Sequence, residues 1–168
     1  MSAQAHPKLA LRPFLPADVP LLAEIFRASI EQLTGDDYSE TQQKAWASAA
    51  DDEAAFSKWL SSGLTLVATL SGSQVGFAAL AAGNKIDLLY VHPAAAGRGV
   101  AAMLTDALEK LAGGRGGPLL TVDASDSARG FFEKRGYVAQ QRNTVLARGE
   151  WLANTTLHKQ LAAKREAS

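Results

Sequence analysis

Apolar positions recur along this chain with two different periods. Short apolar or alternating runs at residues 9–14 (LALRPF), 64–70 (LTLVATL), 74–80 (QVGFAAL) and 85–91 (KIDLLYV) predict strands, with Ser71-Gly72-Ser73 as a hairpin turn. Between the first strand and the rest, Leu22, Ile25, Phe26, Ser29, Ile30 and Leu33 follow Asp18 at helical spacing, which predicts a helix with one core face. A polar break runs from Thr34 to Tyr38. Ser39 and Gln42 then have the spacing of a capping box, so a second helix, carrying Trp46, is expected there. Residues 51–60 predict a third helix, with Phe56, Trp59 and Leu60 on one side.

In the second half, residues 99–112 predict an amphipathic helix. Val100, Met103, Leu104, Ala107, Leu108 and Leu111 turn inward, while Thr105, Asp106, Glu109 and Lys110 turn outward, and Gly113-Gly114 ends it. Residues 118–122 (PLLTV) read as a buried strand. Ser125, Asp126 or Ser127 can cap a helix that ends at Gly136. Residues 137–146 and 151–157 form a strand pair turning at Arg148-Gly149, and AAKREAS reads as a frayed tail. The order is strand, helices, three strands, helix, strand, helix, two strands. It predicts a mixed α/β (α+β) layer structure in one domain spanning all 168 residues.

Composition narrows the chemistry. Lysine plus arginine (17) balances aspartate plus glutamate (17), so no global field draws the chain to nucleic acid or anionic lipid. There is no cysteine, which removes disulfides, thiolate metal sites and a cysteine nucleophile. His6, His92 and His158 show no metal-binding spacing, so no metal is expected. No run approaches the roughly 18 apolar residues of a membrane span. The N-terminus lacks the apolar core of a signal peptide, so a cytoplasmic protein is expected.

One stretch stands apart, LLYVHPAAAGRGVAAML at residues 88–104. A strand stops at a proline, small residues follow, and a helix begins. A helix start carries unpaired N–H groups and partial positive charge, and small residues let an anion reach them. Ala96–Ala101 can therefore cradle a phosphate, or form a tight turn that binds nothing. No lysine follows the glycines, as a nucleotide P-loop would need, and Ala102 stands where a dinucleotide loop has its third glycine.

The same stretch resembles the coenzyme A loop of the GCN5-related N-acetyltransferases, the GNAT superfamily, with the pattern V-x-P-x-x-[RQ]-[GR]-x-G-[IV]-[GA]-x-x-L. Val91, Pro93, Gly97, Gly99, Val100, Ala101 and Leu104 match, while Ala96 replaces the usual arginine or glutamine. About 30 residues on, ASDSARGFFEKRGY resembles the family's second motif through Ala128, Phe131, Lys134, Gly136 and Tyr137. The last strands, around GEWLANTTLHKQL, resemble a small bacterial, YafP-like branch. The resemblance implies the GNAT fold, a mostly antiparallel central sheet of about seven strands flanked by helices. It also implies acetyl-CoA as cosubstrate, a small-molecule or peptide amine as acceptor, and direct transfer through a tetrahedral intermediate. Homodimerisation through the late strands fits the same family.

Residue roles follow from the resemblance. Leu89, Tyr90 and Val91 would meet pantetheine along a strand splayed from its neighbour, with the Val91 N–H on the thioester carbonyl. Ala96, Gly97, Arg98, Gly99, Val100 and Ala101 would hold the pyrophosphate, and Ser125, Asp126 and Phe131 would flank the cofactor. Asp87, among leucines, is the candidate base for the acceptor ammonium; an ion pair or a loop cap is its structural alternative. Strand alternation puts Asp87 with Leu89 and Val91, opposite Ile86, Leu88 and Tyr90. Phe132 stands where the family often has a tyrosine acid, so Tyr38 is the candidate for proton transfer and substrate contact. Trp46, Asn143 and Trp151 complete the candidate acceptor site. The competing reading is a silent acyl-CoA sensor of the same fold.

Overall fold

The computed structural model describes residues 8–161; His6 and the AAKREAS tail lie outside them. Seven strands make one sheet: β1 (Leu9–Pro13), β2 (Leu64–Leu70), β3 (Ser73–Ala81), β4 (Lys85–Val91), β5 (Leu119–Ser125), β6 (Val138–Ala147) and β7 (Glu150–Gln160). Their order is β1-β2-β3-β4-β5-β7-β6. Neighbours are antiparallel except β4 and β5, which pair in parallel only at Lys85 with Thr121 and Ile86 with Val122. Beyond those two rungs the strands part.

Among the described residues five α-helices cover the sheet: α1 (Val19–Leu33), α2 (Glu40–Ala47), α3 (Glu53–Ser61), α4 (Val100–Gly114) and α5 (Arg129–Lys134). On one face, α4 and α5 pack through Leu104, Leu108 and Phe132 onto Leu80, Ile86 and Leu120. On the other, α1 and α3 pack through Leu22, Phe26, Phe56 and Leu60 onto Phe77 and Leu88. Each strand in the middle of the sheet is thus buried on both sides, which is why its apolar run is nearly unbroken.

Local signals act where the sequence puts them. The Ser39 hydroxyl accepts from the Gln42 N–H, and the Gln42 side chain accepts from the Ser39 N–H, which starts α2. Ser71 and Gly72 both have positive φ, as do Arg148 and Gly149, the geometry of two-residue hairpin turns. Ser73 therefore belongs to β3 rather than to the turn.

Several expectations are corrected. The α4 helix runs through Gly113 and Gly114 instead of stopping before them, and the chain turns at Gly116, whose φ is +79°. Its buried stripe is Val100, Leu104, Thr105, Leu108 and Ala112, so Leu111 is exposed and Thr105 is not. Thr105 satisfies its hydroxyl on the Ala101 carbonyl. Glu109 turns toward the sheet, where Tyr137 and Lys159 bind it. The β5 strand reaches Ser125, so Ser125 ends a strand and caps the following turn, with α5 starting only at Arg129. Leu33, expected in the core, is 45% exposed.

Candidate active site

Where β4 leaves β5, a cleft of about 610 Å³ opens. It passes between the two faces of the sheet. On the α4 side it is lined by Ala95–Gly97, Gly99–Ala102, Ala128, Phe131 and Phe132. On the α1 side it is lined by Ser29, Ile30, Leu33, Thr34 and Trp46, with Ile86–Val91 and Val122–Ser125 as its edges.

The α4 end presents unpaired backbone donors to the cleft. Gly99 sits at the helix start with φ of +82° and offers no capping side chain. The amides of residues 97–102 find no acceptor among the described residues. Gly97 also has positive φ, and no atom lies within 4 Å of where a side chain on Gly97 or Gly99 would begin. Several N–H groups and the helix dipole therefore converge on open space. The Arg98 side chain is exposed and does not line the cleft.

The β4 edge supplies the next set of groups. His92 N–H donates to the Val75 carbonyl at 2.8 Å, which makes Gly76 and Val91 a pair without mutual hydrogen bonds. The N–H and carbonyl of Val91 therefore point away from β3 and into the gap. Leu89, two residues earlier, has the same orientation. Tyr90 instead pairs with Phe77, stacks on its ring at 5.7 Å, and accepts from Trp46 Nε1 at 3.3 Å. Burial pushes the Tyr90 hydroxyl well above its ordinary pKa, so it stays protonated.

Asp87 lies in a β-bulge. Leu80 faces Ile86 and Ala79 faces Leu88, which leaves Asp87 unpaired between them. The expected alternation is corrected by this extra residue. Ile86, Leu89 and Val91 pack on the α4 side, whereas Leu88 and Tyr90 pack on the α1 side. Asp87 joins the latter: its Oδ2 accepts from Trp59 Nε1 of α3 at 2.6 Å, and it lines the cleft. In the sequence Trp59 reads as a core or pocket-wall aromatic, not as a hydrogen-bond partner of Asp87. The bulge that turns Asp87 toward it leaves no trace in the hydrophobic pattern.

Other candidates separate. Tyr38 is buried, donates to the Ala153 carbonyl at 2.6 Å and accepts from the Asp126 N–H at 2.9 Å. It is not among the residues lining the cleft, and burial raises its pKa despite the Asp126 N–H. Asp126 turns away from the cleft to a two-point pair with Arg142, which holds its carboxyl below the usual range. Asn143 is held by Asn154 and Thr156 on the β6–β7 hairpin, outside the lining. Trp151 is 60% exposed near the tip of that hairpin and forms no wall of the cleft. Of the acceptor candidates, Trp46 is brought to the site. Of the cofactor candidates, Ser125 is as well; its hydroxyl accepts from the Ala128 N–H and keeps its own proton to give.

A family model described as an acetyltransferase (GNAT) domain matches residues 34–154. The chain belongs to the GNAT acetyltransferase family. By class it is an acetyltransferase. It is 33% identical over 146 residues to an uncharacterized N-acetyltransferase, YafP, of Escherichia coli (strain K12), covering 87% of this chain and 92% of that protein. It is 63% identical to a GCN5-related N-acetyltransferase, also named aminotransferase class-II, of Rhodopseudomonas palustris. That crystal structure superposes with a TM-score of 0.90, over 96% of this chain and 99% of the other. The PaiA N-acetyltransferase of Thermoplasma acidophilum, solved in complex with coenzyme A, shares the fold at 18% identity and a TM-score of 0.76, over 91% and 99% of the two chains. Among the described residues, no helix is long and apolar enough to cross a membrane, and no group of side chains is arranged to hold a metal ion.

Proposed function

We propose that this GNAT protein is an acyl-CoA-dependent N-acyltransferase that moves acetyl from acetyl-CoA directly to an amine. The observation that carries the reading is the uncapped start of α4, whose free amides open onto the gap between β4 and β5. The residues fit the cosubstrate. The amides from Gly97 to Ala101 suit a pyrophosphate, and the outward groups of Leu89 and Val91 suit the amides of pantetheine. Phe131 and the Ser125 hydroxyl lie along the same path. When bound, acetyl-CoA supplies an acetyl group activated as a thioester.

The chain's own residues do the rest. The Val91 N–H faces the gap and suits a carbonyl oxygen that becomes negative. Asp87, fixed by Trp59, takes the proton that frees the acceptor's lone pair. The amine nitrogen adds to the acetyl carbon, and the tetrahedral adduct collapses as the carbon–sulfur bond breaks; the nitrogen's second proton goes to the departing thiolate or to solvent. A thiol with pKa of about 8.5 leaves adequately without a protein acid. This suits a site in which Phe132 replaces tyrosine and the Tyr38 proton is held by Ala153. Those two facts also favour the second reading, a silent acyl-CoA sensor.

Thermal unfolding with acetyl-CoA, CoA, ATP or NAD tests the cosubstrate. A ligand at about 100 times its Kd stabilises by about 2.7 kcal/mol, a rise of roughly 5–11 °C at this size. The expected result is a rise with acetyl-CoA and CoA alone. No rise with either sinks the reading. Stabilisation without amine-dependent release of CoA thiol would select the sensor.

A further inference from the structure

The two ends of the cleft differ in charge. The α4 end offers only N–H groups. The α1 end is walled by Ile30, Leu33, Trp46 and Tyr90, with the neutral hydroxyl residues Ser29 and Thr34, around one carboxylate, Asp87. Among the described residues, no lysine, arginine or histidine lines any part of the cleft. The other acidic side chain at its edge, Asp123, is already matched: Lys85 Nζ binds it at 2.8 Å and Thr156 at 2.6 Å. Those bonds outweigh the burial that would otherwise raise it, and leave its pKa lowered. Asp87 is different. Its protein partner is a neutral indole, and no cation lies within ion-pair distance of it among the described residues.

From this we infer that the acceptor is a monoamine with an apolar or aromatic body and no carboxylate, phosphate or second ammonium. The inference rests on the acetyltransferase reading and deepens it. The ammonium finds its counter-charge in Asp87, and the body finds Ile30, Leu33, Trp46 and Tyr90. A carboxylate beside that nitrogen, as in a free amino acid, would meet Asp87 with no cation to neutralise it. Juxtaposing like charges in a partly dry site is costly. A polyamine would have to bury its second ammonium among the apolar walls. Leu33 is the informative position, because it lines the cleft and is half exposed, so a longer polar side chain there can reach solvent.

The test compares amines of matched body: phenethylamine against phenylalanine, isoamylamine against leucine, and spermidine. Release of CoA thiol from acetyl-CoA is the readout, with the thermal shift by acetyl-CoA recorded on the same preparation. The expected result is kcat/KM about 100-fold higher for each monoamine than for its carboxylated partner, with spermidine a poor substrate. Leu33→Arg places a cation at the mouth and is expected to narrow the phenethylamine-to-phenylalanine ratio at least about tenfold. With acetyl-CoA binding intact, a preference for the amino acids or for spermidine overturns the inference. Failure of every amine in the panel does the same. Loss of acetyl-CoA binding itself would overturn the underlying acetyltransferase reading and this inference with it.

Discussion

The Tyr38 hydroxyl has one proton, and the Ala153 carbonyl holds it. Tyr38 thereby ties the turn before α2 to β7 and, through the Asp126 N–H, to the corner after β5. Tyr38→Phe keeps the ring on Trp46 but leaves a carbonyl and an N–H without their partner. A loss of about 1–3 kcal/mol of stability is expected, with kcat/KM changed only a few-fold. A proton-donating role would give the opposite pattern, a large fall in kcat with an unchanged melting temperature. Asp87→Asn is the contrasting case. The amide oxygen still accepts from Trp59, so stability stays within about 0.5 kcal/mol, while kcat falls by about a hundredfold or more. Unfolding curves and steady-state rates on the two variants separate a brace from a base.

At the scale of elements, the junction of β1 with α1 depends on a carboxylate. Asp18 is 3% exposed, binds Arg12 at 2.7 and 2.8 Å, and accepts from the Leu15 N–H and from Gln74. The Arg12 bonds come first in holding its carboxyl far below the usual range, against the opposing effect of burial. The unfolded chain returns Asp18 to about 3.9. Its contribution is therefore complete above that value and is lost as pH falls below it toward the folded pKa. At pH 7, Asp18→Asn is expected to cost about 2–3 kcal/mol. Its deficit against the unsubstituted protein should shrink steadily below about pH 4 in denaturant titrations. A constant deficit would show that packing, not the ion pair, carries the effect. Elements of this kind were legible in the sequence as far as a local period reported them. The α1 stripe as far as Ile30, the Ser39 cap, the turns at Ser71-Gly72 and Arg148-Gly149, and the left-handed Gly97 and Gly99 before α4 all fall where their spacing places them. Features set by distant contacts were not legible. Asp87 changes face through a bulge, Ser125 is claimed by a longer β5, and Leu33 is freed by the cleft beside it.

Over the whole molecule, the cleft lies between two cores packed on opposite faces of the sheet. One ligand lying through the gap would touch both faces, so its effect on motion should have a defined map. Amides of residues 97–102 and of Val91 have no acceptor among the described residues and should exchange hydrogen rapidly without ligand. Acetyl-CoA at about 100 times its Kd should slow them, and should also slow by about 100-fold every amide that exchanges through global unfolding. Amides near the tip of the β6–β7 hairpin open without disturbing the cleft. Leu146 and Trp151 pair there at the surface, remote from both cores, and their exchange should not change. Hydrogen exchange read by NMR residue by residue, with and without acetyl-CoA, gives this map directly. Protection confined to the hairpin, with residues 97–102 untouched, would place the ligand elsewhere and remove the physical basis for reading the start of α4 as the pyrophosphate site.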